Sequence, residues 1–159
     1  MIEPPSGQTE PTPIADVTEL FRTRREPMAR LAYVLTGDAA ISDEIVQDAF
    51  LKVHTDWSRI KNPSAYLRTA VLNGCRSYHR HINVERRLPV ERRAPELTVH
   101  DEISDALAKV SYPRRAVLAL RYFCDLPDSE IAEILNIRPA TVRSRVARGL
   151  KDLRKELEP

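Results

Sequence analysis

The sequence predicts an all-α protein of two small helical domains joined by a flexible linker. Apolar residues recur at helical spacing over residues 16–82 and again over residues 102–157, and we find no convincing strand pattern. Between these regions, residues 83–101 lose the periodicity and contain the proline- and arginine-rich run "RLPVERRAPEL". Because aperiodic runs of about 15 residues are uncommon inside compact domains, we expect this segment to be a linker between domains.

The composition is that of a globular protein, with 42% hydrophobic and 30% charged residues. Residues 1–15 are the exception, since their prolines predict a disordered tail. This tail lacks the pattern of a signal peptide, and no run approaches the roughly 18 apolar residues of a membrane span. Cys75 and Cys124 lack the spacing of a disulfide framework or a zinc site. We therefore expect a cytoplasmic protein without membrane insertion, whose thiols are buried and inert.

Three helices are predicted in the N-terminal domain. The first covers residues 16–36, with a kink or a new helix start near Pro27, since a proline inside a helix costs about 3 kcal/mol. The second follows Ser42, whose hydroxyl can cap a helix that begins with acidic residues. A loop, "SRIKNPSAY", precedes the third helix, which covers residues 64–81.

Four amphipathic helices are predicted in the C-terminal domain, and the last two form a helix-turn-helix in "SEIAEILNIRPATVRSRV". Asn136 occupies the turn, where asparagine tolerates the left-handed conformation. Arg138 is a weak N-cap for the last helix, although Pro139 suits its first position. The apolar series of this helix faces inward and leaves these side chains on or beside its outer face: Thr141, Arg143, Ser144, Arg145 and Arg148.

The last helix is strongly basic. Between residues 138 and 155, seven arginines and lysines stand against one acid, Asp152. Arginine in the major groove bonds two acceptors of guanine and also neutralises phosphates, so this helix is suited to duplex DNA. The structural alternative is a solvated basic face.

No enzyme site is predicted, and neither is a cofactor or a small-molecule substrate. The glycines form no phosphate-binding loop, and the carboxylates form no recognisable pair. The four histidines are expected to be surface residues rather than metal ligands: His54, His79, His81 and His100.

Four stretches of the chain carry a family resemblance. They are, in order, "LAYVLTGD", "SDEIVQDAFLKVH", "DWSRIKNPSAYLRTAVLN" and "YPRRAVLALRYFCDLPDSEIAEILNIRPATVRSRVARGLKDLR". They resemble regions 2 and 4 of the extracytoplasmic-function (group IV) sigma factors of bacterial RNA polymerase, in the sigma-70 family, and in particular the actinobacterial SigE-like branch. The resemblance implies a specificity subunit without catalytic residues. Region 4 would read the promoter −35 element as duplex, and region 2 would melt and hold the −10 element.

The resemblance also implies roles for residues of region 2. Glu44, Gln47 and Asp48 match the polar positions of the helix that docks on the β′ clamp helices of the polymerase. The −10 element would be captured as single-stranded DNA by a loop and a helix. The matching residues are Lys61, Asn62, Ser64, Tyr66, Arg68, Asn73, Arg76 and Arg80.

Several of these residues have a structural alternative. Asp43 and Glu44 could serve only to compensate the helix dipole. Asn73 could bond only to local backbone. Three aromatic residues are expected to belong to the core rather than to stack on bases: Trp57, Tyr66 and Tyr78.

The implied partners are the polymerase core, through its β′ clamp helices and β flap, promoter DNA and an anti-sigma protein. The linker arginines Arg86, Arg87, Arg92 and Arg93 would meet template DNA or nascent RNA, or the linker would serve only as a tether. Two rival hypotheses remain from the residues alone. One is a homodimeric helix-turn-helix regulator, and the other is an adaptor whose basic helix binds an acidic protein.

Overall fold

The structure, a computed structural model, describes residues 16–85 and 102–158. These residues are mostly helical and contain no strand, which confirms the all-α fold class. The helices are α1 Val17–Thr36, α2 Ala39–Asp56, α3 Pro63–Glu85, α4 Glu102–Lys109, α5 Tyr112–Tyr122, α6 Asp128–Leu135 and α7 Pro139–Leu157, with a 3-10 turn at Trp57–Arg59. The predicted tail and most of the predicted linker, including its four arginines, lie outside the described residues.

Helices α1, α2 and α3 form the N-terminal unit, in which each helix contacts the other two. Leu31 and Val71 are fully buried at its centre. Helix α1 continues through Pro27, so the predicted new start there is wrong. Leu20 before the proline and Met28 after it are both buried in the same core, and this shared packing keeps the helix in one piece.

Helix α2 is capped by Asp38 and not, as predicted, by Ser42. The Asp38 side chain accepts a hydrogen bond from the Ile41 N–H at 3.1 Å. Ser42 is buried inside the helix, and its hydroxyl oxygen lies 2.8 Å from Thr36 Oγ1. Both residues are good caps by type, and the sequence alone did not distinguish between them.

Helix α3 extends beyond the predicted residues 64–81 at both ends. Asn62 caps its start, since Asn62 Oδ1 accepts a hydrogen bond from the Ala65 N–H at 3.1 Å. At the other end, residues 83–85 are helical, although they were predicted to belong to the linker.

Helices α4 to α7 form the C-terminal unit, with α7 packed against the other three. Pro113 lies in the first turn of α5, as predicted. Gly149 allows α7 to approach α5 closely, because a Cβ there would lie 3.0 Å from Leu118 Cδ1. The position of α7, which carries the basic face, is thereby set by close packing.

The two units also contact each other, chiefly through α1 against α4 and α5. Arg115 of α5 is buried in this contact and donates hydrogen bonds to the carbonyls of Leu35, in α1, and Ala108, in α4, both at 3.2 Å. Arg68 of α3 forms an ion pair with Glu130 of α6 at 3.4 Å. The two units are therefore joined by directed polar contacts as well as by apolar packing.

Gly37 ends α1 in the left-handed conformation, with φ 71°. We expect Gly37→Ala to lower the free energy of unfolding by about 1 kcal/mol. A Cβ at this position meets no neighbour within 4 Å, so the loss comes from the backbone conformation alone. Gly37→Asn should lower the free energy of unfolding less, because asparagine tolerates this conformation. Urea denaturation measures both differences, and equal losses in the two variants would contradict the explanation.

Candidate nucleic-acid interface

Helices α6 and α7 form a helix-turn-helix whose turn is set by Asn136. This residue has φ 53° and ψ 49°, the left-handed conformation expected from the sequence, and its N–H donates to backbone carbonyls of α6. Pro139 opens α7 as predicted, and Arg138 precedes it without a side-chain cap. Ile131 and Val142 are fully buried between the helices. The outer face of α7 is thus held in one orientation.

The outer face of α7 carries the predicted duplex-binding residues. Three of them are exposed and two are half-buried: Arg143, Ser144 and Arg148, then Thr141 and Arg145. In the part of the chain that the structure describes, the arginines of this face form no ion pair. Asp152, the one acid of the basic segment, bonds to Arg114 of α5. The positive charge of the face is therefore not neutralised by neighbouring carboxylates.

A cavity of about 450 Å³ opens where the end of α2, the 3-10 turn and the start of α3 meet. This volume falls in the range of pockets that bind small ligands, and it exceeds that of one nucleobase. Lys61, Asn62 and Tyr66, all predicted to contact DNA, line the cavity. Asp56 and Arg59 also line it and were missed, although Arg59 lies within the predicted loop and Asp56 lies just before it.

Tyr66 is both a wall of this cavity and a partner of the N-terminal core. Its hydroxyl donates to Asp56 Oδ2 at 3.0 Å. This hydrogen bond to a carboxylate raises the pKa of Tyr66, so the hydroxyl stays protonated. The two alternatives for Tyr66, packing and contact with DNA, are therefore compatible, since the ring is fixed at the site where a base could enter.

The remaining predicted residues of α3 divide between two faces. Asn73 and Arg80 lie seven and fourteen residues after Tyr66, so all three share a face, and Arg76 lies beside them. Asn73 is exposed, and its side chain forms no hydrogen bond within the described residues, which argues against a purely local role. Arg68 lies on the opposite face, against the C-terminal unit.

Ser64 is half-buried in the first turn of α3. Trp57, in the 3-10 turn that leads to this helix, packs against the core as expected. Tyr78 is also half-buried. The 3-10 turn that leads to α3 is therefore anchored to the core through Trp57.

Helix α2 presents a continuous polar face to solvent. Glu44, Gln47 and Asp48 are all exposed and, at spacings of three and four residues, are neighbours on the helix surface. Asp43 is exposed beside them. Because no basic residue pairs with these carboxylates in the described residues, they are available to a cationic partner.

A small groove of mixed apolar and charged lining lies between this polar face and α1, and the sequence did not reveal it. The rings of Phe21 and Phe50 meet edge to face there, with centroids 5.0 Å apart. Phe21 remains 41% exposed, and Arg25 lies over its ring. The acidic face of α2 therefore borders one exposed aromatic ring, that of Phe21, and aromatic side chains are enriched at protein interfaces.

No metal site is found in the described residues, since no three His, Cys, Asp or Glu side chains are suitably grouped there. Burial raises the pKa of Cys75 to about 12, which leaves its thiol protonated and unreactive. Cys124 is only half-buried, although burial raises its pKa as well. His79 is half-buried rather than exposed, and its ring stacks on that of Tyr112 with centroids 4.2 Å apart, in the contact between the units.

A helix-turn-helix whose basic face forms no ion pair in the described residues defines a DNA-binding protein, and here a second helical unit is joined to it. Two family models match the chain. "Sigma-70 region 2" matches residues 20–83, and "Sigma-70, region 4" matches residues 100–153. These matches cover the N-terminal and C-terminal units respectively.

Several proteins that are similar to this chain are named as sigma factors. An RNA polymerase sigma-E factor of Streptomyces avermitilis is 27% identical over 157 residues, covering 91% of this chain and 87% of that protein. The ECF RNA polymerase sigma factor SigL of Mycobacterium tuberculosis is 30% identical over 147 residues, covering 81% of each chain. The sigma factor RpoE of Bartonella quintana, solved with the anti-sigma factor NepR, shares the fold with a TM-score of 0.71 at 20% identity, covering 88% of this chain and 94% of that one.

The chain belongs to the extracytoplasmic-function sigma factors of the sigma-70 family. As a sigma factor it binds RNA polymerase core and promoter DNA and directs promoter-specific initiation. This assignment decides against the two rival hypotheses, the homodimeric regulator and the acidic-protein adaptor. Among the described helices, none is both long enough and apolar enough to cross a membrane.

Proposed function

We propose that this sigma factor reads the −35 element with the outer face of α7 and holds the −10 element, as single-stranded DNA, on α3 and in the cavity at its start. One observation carries the proposal. Two surfaces of different chemistry lie on separate units, an exposed basic helix on the C-terminal unit and an open cavity large enough to admit a base on the N-terminal unit. The first is suited to a duplex groove, and the second to an unpaired base.

At the −35 element, α7 enters the major groove with its N-terminal half. Arg145 and Arg148 reach base edges, where arginine can bond both acceptors of a guanine. Thr141 and Ser144 bond to bases or phosphates between them, and Arg143 at the edge of the face neutralises backbone charge. The outer-face position of these side chains supports these roles, and so does the absence of ion pairs at the three arginines within the described residues.

At the −10 element, an extruded base enters the cavity against the Tyr66 ring, and Lys61 and Asn62 bond to its edge or to the adjoining phosphate. The Asn62 amide nitrogen is available for this contact, because the helix cap engages its oxygen. The backbone then follows the exposed face of α3. The residues on or beside this path are Ser64, Asn73, Arg76 and Arg80.

The acidic face of α2 docks on the β′ clamp helices. Glu44 and Asp48 supply charge-assisted hydrogen bonds to arginines of that partner, and Gln47 bonds between them. The exposed ring of Phe21 adds apolar contact at the edge of the same surface. The C-terminal unit meets the β flap.

The protein acts in the cytoplasm and contributes no catalytic residue, because phosphoryl transfer belongs to the polymerase. An anti-sigma protein is a further partner, and the complex of the structurally similar RpoE with NepR supports this proposal.

Run-off transcription on a promoter library tests the assignment. With core polymerase, the protein should produce new transcripts that start downstream of a shared pair of −35 and −10 sequences. Without it, core alone should not start there. Failure to bind core or to change initiation, with duplex binding retained, would contradict the proposal.

A charge-reversed variant isolates the docking surface. Glu44→Lys combined with Asp48→Lys should abolish initiation on every promoter while leaving binding to a −35 duplex within about twofold, because these residues lie on the other unit. Glu102→Lys, a reversal on the exposed start of α4, is the control and should keep initiation. Normal initiation by the double variant would show that α2 is not the docking surface.

A further inference from the structure

The cavity at the start of α3 contains one acidic side chain among several hydrogen-bond donors. Arg59, Lys61 and Asn62 contribute the donors, and Asp56, at the end of α2, is the one acid of the lining within the described residues. A carboxylate repels the phosphates of DNA, so Asp56 opposes the binding of a DNA backbone at this place. A cavity that held phosphate only would be better lined by donors alone. Asp56 therefore has another role, either within the protein or toward a base.

A hydrogen bond from Tyr66 orients Asp56. The Tyr66 hydroxyl donates to Asp56 Oδ2 at 3.0 Å, and Asp56 is half-buried. Within the described residues, Oδ1 of the same carboxylate accepts no hydrogen bond, and neither Arg59 nor Lys61 forms an ion pair with it. One carboxylate oxygen is therefore engaged by the protein, and the other is available to a ligand of the cavity.

The structural alternative is that Asp56 serves only to position the Tyr66 ring. An uncharged amide would accept the same hydrogen bond without repelling DNA, so positioning alone does not require a carboxylate. An ionised carboxylate differs from an amide because it only accepts hydrogen bonds and has no donor. Asp56 is therefore suited to distinguish ligand groups that donate from ligand groups that accept.

The four bases of DNA differ in what they offer to such an acceptor. Cytosine, adenine and guanine each carry an exocyclic amine, at N4, N6 and N2 respectively, whereas thymine carries none. The N–H of the thymine ring lies between two carbonyl oxygens, and these oxygens would be brought close to the carboxylate. A site that bonds to an N–H of its ligand rejects an analogue without that group, because the acceptor of the site is then left unpaired.

We propose that Asp56 selects the base that enters the cavity, accepting a hydrogen bond from an exocyclic amine at Oδ1 and rejecting thymine. Arg59, Lys61 and the Asn62 amide donate to acceptor atoms of the same base or to the adjoining phosphate. Tyr66 keeps the carboxylate in place through its hydroxyl. The inference rests on the proposed function, since it takes the cavity as the site of an extruded −10 base.

The test uses the protein bound to core polymerase, with single-stranded oligonucleotides that carry the −10 element of a promoter from the run-off library. Each position in turn is replaced by deoxycytidine (dC), by deoxyuridine (dU) or by an abasic site, and affinity is measured by fluorescence anisotropy. Uracil presents the edge of thymine without its methyl group, and it has the size of cytosine. At one position, dC should bind about tenfold more tightly than dU. Equal affinities for dC and dU at every position would overturn the selection.

Asp56→Asn assigns this preference to the carboxylate. The amide keeps the size of the side chain and still accepts from Tyr66, but it presents an NH2 donor in place of Oδ1. The ratio of dC to dU affinity should fall to about one, or reverse, at that position and stay unchanged at the others. A tenfold preference retained in Asp56→Asn at every position would show that another group selects the base.

Asp125→Asn is the matched control for this change of charge. Asp125 is exposed on the C-terminal unit and has φ 51°, a conformation that asparagine tolerates. Its substitution should leave the ratio of dC to dU affinity as in wild type. Loss of the preference in Asp125→Asn as well would mean that the ratio reports a general effect of charge, and would overturn the role of Asp56.

Tyr66→Phe separates selection from positioning. This variant removes the hydroxyl but leaves the carboxylate, so the affinities for dC and dU should both fall while dC remains preferred at least about threefold. If Asp56 served only to hold Tyr66, Asp56→Asn and Tyr66→Phe would lower both affinities and leave the ratio between them unchanged. That result would contradict the proposal.

The two proposals fail separately. If no abasic site in the −10 element weakens binding, no base is held in the cavity and the proposed function of the cavity is wrong. If one abasic site weakens binding while dC and dU bind equally there, the cavity still receives a base, and the role of Asp56 is wrong.

Discussion

Replacing Arg145 by alanine should weaken −35-dependent transcription by about 1–3 kcal/mol, roughly fivefold to 150-fold, and relax the preference at one base pair. The reason is the position of Arg145 on the outer face of α7, where no carboxylate in the described residues competes for it. The measurement is run-off transcription on promoters that carry each base in turn at every −35 position.

Arg154→Ala is the matched control on the same helix. Arg154 is exposed but lies near the C-terminal end of α7, away from the half proposed to enter the groove. Arg154→Ala should therefore lower transcription by less than about twofold on every −35 sequence. If Arg145→Ala weakens transcription equally on every −35 sequence, its side chain contacts phosphate only, and the assignment of base recognition is wrong.

Val142→Asp should unfold the C-terminal unit. Val142 is 0% exposed between α6 and α7, and the aspartate would bury a charge with no partner, which costs several kcal/mol. We expect the free energy of unfolding in urea to fall by about 3–5 kcal/mol and binding to a −35 duplex to disappear.

Ala140→Asp places the same charge two residues earlier, on an exposed position in the first turn of the same helix. This aspartate should change the free energy of unfolding by less than about 1 kcal/mol, because its carboxylate is solvated and lies near the positive end of the helix dipole. Similar losses in the two aspartate variants would mean that burial of Val142 does not hold the helix-turn-helix together.

The features predicted correctly from the sequence are those that local spacing determines. The period of the apolar residues indicated the helices, and the turn at Asn136 followed from the preference of asparagine for the left-handed conformation. Two predictions were wrong for different reasons. Asp38 and Ser42 are both good caps, so the cap of α2 could not be chosen from residue type. At Pro27, packing on both sides of the proline outweighed its local tendency to break a helix.

Features that depend on packing between distant segments could not be predicted. The side that Arg68 faces depends on how α3 meets α6, and the cavity depends on Asp56 meeting the start of α3. The burial of Arg115 could not be predicted from the sequence, because an arginine in an amphipathic helix is usually exposed. Its hydrogen bonds depend on the ends of α1 and α4, which are far apart in sequence and meet only in the fold.

The carbonyl partners of Arg115 also determine how ionic strength acts on the protein. Added salt screens partly exposed ion pairs such as Arg68–Glu130, and it weakens the binding of a basic helix to DNA even more steeply. The hydrogen bonds from buried Arg115 to neutral carbonyls are screened much less. Rising ionic strength therefore weakens the hold on the promoter faster than it weakens the contact between the two units.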